Sequence, residues 1–199
     1  MNRKVLLVVA GLVGLCVVAF AIMIISGLRQ DAELEANAEA LRTLYDPVKP
    51  VCAGSGAAET AVYSDSAGVH PIAALLSSGV DTWYVRASDL PESWRPQTTA
   101  DIQLVACMVN DSVLLESCSY TIEDGSTGTV ERRQSRTTIT LHAAQTGAVL
   151  DSTELLGSLP QECADEESFL EGQLTKTLSG GLVVNEEKVA WLQPYVERP

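Results

Sequence analysis

The fold class expected is mainly β: an extracytoplasmic antiparallel sheet or sandwich with a short C-terminal helix, preceded by one N-terminal transmembrane helix and a short helical stalk. Three observations predict it. Residues 5–28 form a nearly unbroken apolar run. From Val51 onward, runs of strand-forming residues alternate with turn signals. Four cysteines, Cys52, Cys107, Cys118 and Cys163, follow the apolar run, and an even number in an exported chain points to two disulfides.

The elements follow in chain order. Residues 1–4 are expected in the cytoplasm. The 24 residues from Val5 to Leu28 contain only one ordinary polar side chain, Ser26. As a helix they would span about 36 Å, against a hydrocarbon core of roughly 30 Å. Only a helix satisfies its own backbone polar groups in lipid within a single segment. Arg3, Lys4 and the amino terminus precede the run, whereas Arg29 and then Asp31, Glu33 and Glu35 follow it, so positive charge lies mainly on the N-terminal side. That asymmetry puts the N-terminus in the cytoplasm and the remainder outside the cell membrane. A cleaved signal peptide is the competing reading, but its apolar region is normally about 7–15 residues. Cys16 sits in the run as a buried thiol; Leu15 before it does not suit a lipid-attachment motif.

The chain has 199 residues and a net charge of −13. Residues 1–30 hold three basic side chains and no acid, leaving 10 basic against 26 acidic residues, a net −16, on the exported part. This balance excludes nucleic acid as a partner, because phosphate would be repelled.

Residues 29–50 are expected to form a juxtamembrane stalk and a proline-containing linker. The stretch RQDAELEANAEALRTLYD favours helix, and Leu34, Ala38, Leu41 and Tyr45 share one face of it. Pro47 and Pro50 should break it. The stripe reads either as a spacer packing on its own domain or as a dimerising seam, and two heptads are too few to establish a coiled coil.

Residues 51–199 are expected to be the disulfide-stapled β-rich domain. Predicted strands cover residues 81–85, 102–109, 113–122, 137–142 and 148–155. The second is apolar on both faces, as a central strand would be. A turn near Asp111–Leu114 would set Cys107 opposite Cys118. Of the three possible pairings this favours Cys107–Cys118, leaving Cys52–Cys163. No C-x-x-C pair suggests a metal site. At the C-terminus, Asn185 should cap a short helix that Pro194 ends, with Val189 and Leu192 facing inward.

No standard catalytic signature is present: neither G-x-S-x-G, S-x-x-K, H-E-x-x-H nor a phosphate loop occurs. The two histidines, His70 and His142, read as structural. No catalytic residue, metal ligand or cofactor is expected. The acids around Cys163 and the Glu123-Asp124-Gly125 turn lack the spacing of a calcium loop and read as solvated surface. Arg132, Arg133 and Arg136 could dock an acidic partner or pair with acids across strands. The candidates for partner binding are Trp83, Trp94 and Arg95. Trp94 and Arg95 lie in the proline-bounded segment Leu90–Pro96, and aromatics with Arg on a connection suit a binding anchor. The alternative for Trp94 is a plug onto the sheet.

Several pieces of the sequence act together as a pattern: Cys52; His70-Pro71-Ile72; Leu90-Pro91-Glu92 with Trp94-Arg95-Pro96; Asp101 with Gln103-Leu104-Val105-Ala106-Cys107; Cys118 with Tyr120; Thr146-Gly147; Cys163; and Trp191-Leu192-Gln193-Pro194-Tyr195-Val196. This pattern resembles a group of uncharacterised bacterial single-pass membrane-anchored proteins with a small four-cysteine extracytoplasmic domain. It spans roughly residues 52–196. The resemblance implies an anchored domain with paired cysteines and assigns no activity.

Three functions remain to be weighed. The leading one is a non-enzymatic interaction or structural domain of the cell envelope, tethered in the bilayer through residues 5–28 and meeting an envelope protein partner. The others are a small-ligand sensor with its pocket around Trp94, and a hydrolase using His70.

Overall fold

The structure, a computed structural model, describes residues 36–77, 79, 82–122 and 125–199. The expected cytoplasmic segment 1–4 and membrane span 5–28 lie outside those residues. Among the described residues, no helix is long and apolar enough to cross a membrane. The chain divides into two compact units between Thr43 and Leu44.

Helix α1 covers residues 36–45 and passes directly into a 3₁₀ helix, η1 (Asp46–Ala53). Next come β1 (Gly68–Val69), β2 (Ile72–Ser77) and β3 (Trp83–Val85), then three short 3₁₀ turns, η2 (Ala87–Asp89), η3 (Glu92–Trp94) and η4 (Thr99–Asp101). The long strands β4 (Leu104–Thr121) and β5 (Thr127–Ala143) follow, then β6 (Val149–Leu156), β7 (Thr175–Ser179), α2 (Asn185–Val196) and β8 (Glu197–Arg198). The α-helix ends at Tyr45, just before Pro47, as expected, but the chain continues as 3₁₀ helix, with Pro47 in the first turn of η1 and Pro50 inside it. A proline early in a helix loses no bond, since its N–H would have been an orphan. Tyr45, Val48 and Val51 are buried, so residues 44–51 are part of the domain's core.

The main sheet runs β3-β2-β4-β5-β6, with β7 also on β5; β1 and β8 form a separate pair. The fold is mainly β, as expected, but the sheet is mixed. β2 lies parallel to β4 and β7 parallel to β5, while the other pairings are antiparallel. β6 and β7 share one edge of β5, β6 along Arg136–His142 and β7 along Thr129–Arg133.

Both faces of the sheet's inner part are covered. Alternation along β4 sends Leu104, Ala106 and Met108 to a first face, with Ile72, Ile139 and Leu141, under Leu90, Trp94, Leu192 and Val196. Val105 and Cys107 point to a second face, with Ala73 and Leu75, under Tyr45, Val48 and Val51. This explains why residues 104–108 and Ile72–Leu75 are apolar without a break.

The turn expected at Asp111–Leu114 does not form. β4 runs straight through it to Thr121, antiparallel β5 begins at Thr127, and Ile122 N–H donates to Ser126 O at 2.9 Å between them. The two predicted strands 102–109 and 113–122 are halves of one strand. A β-bulge at Leu115 follows just beyond the expected turn. The extra residue inverts the alternation, so beyond it the odd-numbered residues of β4 occupy the first face.

At the C-terminus, α2 forms where expected, but Val184 is its N-cap and Asn185 its first residue. Pro194 lies inside the last turn, and the helix continues to Val196. Leu192 and Val196 are buried against the first face, with Val189, Trp191 and Tyr195 partly buried beside them.

Candidate functional site

Of the residues singled out for partner binding, Trp94 is 1% exposed and packs within the first-face core. Its indole Nε1 donates to Glu197 Oε1 at 2.7 Å. Trp94 therefore plugs its segment onto the sheet and has almost no surface to offer a partner. Arg95 turns its guanidinium back onto its own loop, donating from Nε and Nη2 to Leu90 O at 3.3 and 2.9 Å. Trp83, on edge strand β3, is partly buried against the second-face core. The three do not converge on one surface or pocket. Packing also accounts for His70, which is 2% exposed, with Nε2 donating to Ser66 O at 2.9 Å and Nδ1 2.7 Å from the Gln103 side-chain amide. His142 is buried with Nδ1 3.0 Å from Gly147 O.

The cysteines pair differently from the expectation. The bridges are Cys52–Cys107 and Cys118–Cys163, with Cα separations of 5.6 and 6.4 Å. Because β4 does not turn, Cys107 and Cys118 lie on one strand about 36 Å apart at ~3.3 Å per residue, far beyond bridging distance. The first bridge fixes η1 to the centre of the sheet. The second lies far out on the other half of β4, and it reveals the most distinctive part of the molecule.

Beyond Asn110 and Thr137, strands β4 and β5 project past the inner sheet as an arm, residues 111–121 paired with 127–136. At ~3.3 Å per residue the arm is about 35 Å long. Its second face is covered by the segment 157–174, which returns from β6 as a strap. Cys163 bonds this strap to Cys118. Tyr120 Oη donates to Ala164 O at 2.7 Å, and Arg132 donates to Gln161 O and Pro160 O at 2.6 and 3.1 Å. The ring of Phe169 lies over Gly128, where a Cβ would come within 2.6 Å of it. Lys176 sits 5.2 Å from that ring and donates to Glu167 Oε1 at 2.6 Å, which holds the Glu167 carboxyl below its usual range. Val130 beneath the strap is fully buried.

The strap begins at a crossing of two backbones. A Cβ on Gly157 would lie 1.9 Å from Gly181 O, and one on Gly180 would lie 1.8 Å from Ser158 O. Only glycine admits so close an approach.

The basic cluster is consumed by ion pairs: across strands, Arg132 with Glu116 and Arg136 with Asp111 at 2.6 Å and Glu154 at 3.3 Å, and along β5 itself, Arg133 with Glu131 at 2.8 Å. The Asp111 carboxyl is held below the usual range, chiefly by its hydrogen bond from Arg136. Glu116, Cys118 and Cys163 bring potential metal-ligand atoms within 4.8 Å of one another. However, the sulfurs are spent in the disulfide and Arg132 holds the carboxylate.

The arm's first face carries no strap. Toward its tip it presents in register Ser117, Ser119 and Thr121 of β4, Thr127, Thr129, Glu131 and Arg133 of β5, and Thr175, Thr177 and Ser179 of β7. All the hydroxyl residues among these are exposed except Thr129, which is half-buried. Nearer the inner sheet the same face carries Ser112, Ser135 and the exposed Leu114; there Ser112 accepts from Arg133 and Ser135 donates to Gly180 O. Sequence reading missed this face because its hydroxyls come from three segments that only the pairing brings together. The signal present was the alternation Ser117-x-Ser119-x-Thr121, Thr127-x-Thr129 and Thr175-x-Thr177. Comparison with known protein families, with curated proteins and with solved structures finds no match for this chain.

Proposed function

We propose that the protein is a single-pass membrane protein that displays a non-enzymatic interaction domain in the cell envelope, with the strapped arm as its contact element. The observation that carries this reading is the asymmetry of the arm. One face is fastened down by a disulfide, an aromatic ring and three side-chain hydrogen bonds, while the other is left open. Fastening one face holds the other in a single shape before contact, which reduces the ordering cost of binding. The apolar run 5–28 supplies the tether, and two bridged cysteine pairs suit an oxidising compartment outside the cytoplasm. The resemblance to anchored four-cysteine proteins points the same way. The test is a photo-crosslinking residue placed in cells at Thr177 on the arm or at Val62, an exposed control position. Crosslinked product from Thr177 and little from Val62 is expected. Product from Val62 alone would overturn the assignment of the contact element.

A further inference from the structure

We infer that the open face of the arm binds a neutral, hydroxyl-rich polymer, a polysaccharide of the envelope, an inference that rests on the arm being the contact element. Three features of that face carry it. First, the hydroxyls form ranks across three strands. Ser119, Thr129 and Thr175 are consecutive register partners, Thr121 pairs Thr127, and Thr177 lies beyond Ser117 and Glu131. Neighbouring ranks are about 6.6 Å apart along the strands and about 4.8 Å apart across them. Second, these hydroxyls are unspent. Among the described residues, the side chains of Ser117, Ser119, Thr121, Thr127, Thr129, Thr175, Thr177 and Ser179 make no hydrogen bond within the protein. Some hydroxyls elsewhere are used internally: Thr137 donates to Asn110 Oδ1 at 2.8 Å, Thr60 to Ala57 O at 2.7 Å and Ser152 to Ile139 O at 3.1 Å. Third, the face is neutral on a strongly acidic chain. Its only charges along the paired strands are Glu131 and Arg133, bonded to each other at 2.8 Å.

Each serine or threonine hydroxyl offers one donor and two acceptor sites, as does each hydroxyl of a sugar. An anionic polymer gains nothing from a face without free cations and is repelled by a chain of net charge −13. A neutral polyol meets matched groups over the whole area without that penalty.

The test uses the full-length chain in mild detergent, applied to chitin and cellulose beads with chitotetraose and cellotetraose as soluble competitors and heparin beads as the anionic comparison. The expected result is retention on a neutral matrix, release by its oligosaccharide and none on heparin. The combined substitutions Ser119→Ala, Thr129→Val and Thr175→Val remove one rank while keeping strand-compatible side chains, and should lower retention about ten-fold or more. Thr129→Ser with Thr175→Ser should restore it. Equal retention of the three-site variant would overturn the inference, as would passage through both neutral matrices. If both matrices fail while Thr177 crosslinks to a protein in cells, the polysaccharide falls and the contact element stands. If both experiments fail, both fall.

Discussion

The indole of Trp94 and the carboxylate of Glu197 meet at 2.7 Å across 103 residues of chain, tying the loop between β3 and β4 to the last strand. Glu197 also accepts from Gln193 Nε2 at 2.8 Å, so one carboxylate holds both the plug and the end of α2. Trp94→Ala should cost about 3–5 kcal/mol through the lost burial and the cavity left behind. Chemical denaturation measures this directly, and a loss under 1 kcal/mol would contradict the placement of Trp94 in the core.

The same contact predicts an acid sensitivity. The bonds from Trp94 and then Gln193 hold the Glu197 carboxyl below its usual range. A carboxyl with a lower pKa folded than unfolded stabilises the fold above about pH 4.3, and that contribution is lost as the pH falls through the folded value. Asp151, held low chiefly by the Tyr195 hydroxyl and then by Ser152 N–H, acts in the same window. Thermal midpoints should therefore drop below about pH 4. Glu197→Gln should lower the midpoint at pH 7 and flatten the drop, whereas parallel curves for variant and wild type would refute the role given to Glu197.

Peptide mapping without reductant should recover Cys52 joined to Cys107 and Cys118 joined to Cys163. The two closed loops span 55 and 45 residues, and each bridge contributes about 4 kcal/mol in the chain-entropy model. Their effects should differ in place. Cys163→Ser should expose the strap to protease while the inner sheet stays protected from hydrogen exchange, whereas Cys52→Ser should lower protection throughout. Recovery of a Cys107–Cys118 peptide would rule out the straight course of β4.

The crossing at the base of the strap gives a prediction at a single methyl. In Gly157→Ala the new carbon would collide with the backbone oxygen of Gly181, which no rotamer change relieves. A loss of about 1–3 kcal/mol is expected from overpacking of this kind. Gly128→Ala meets a movable ring, Phe169, and should cost less. The comparison of the two thermal midpoints decides it, and equal effects would count against the backbone crossing.

The inner sheet was largely legible in the sequence, because burial on both faces leaves apolar runs such as residues 104–108 and alternation such as Ile139 and Leu141. The strand Ile72–Ser77 was hidden by the same property, since a short run apolar on both faces has no period to read. The arm misled for a physical reason. Asn110 to Ser112 is polar as a turn is polar, but here the polarity marks the point where β4 leaves the core and meets water on both sides. Arg132, Arg133 and Arg136 looked like a patch; Arg133 pairs with Glu131 two residues away, but only the strand register shows the partners of Arg132 and Arg136, Glu116, Asp111 and Glu154. The hydroxyl face was invisible for the same reason: Thr175 and Ser119 become neighbours only through Thr129.

Of the four cysteines beyond residue 28, the first is bridged to the second and the third to the fourth. A domain emerging in chain order behind a retained anchor would present each thiol with its proper mate before the next competitor emerged. Oxidation in order of arrival then suffices, and no enzyme that reshuffles mismatched sulfurs is needed.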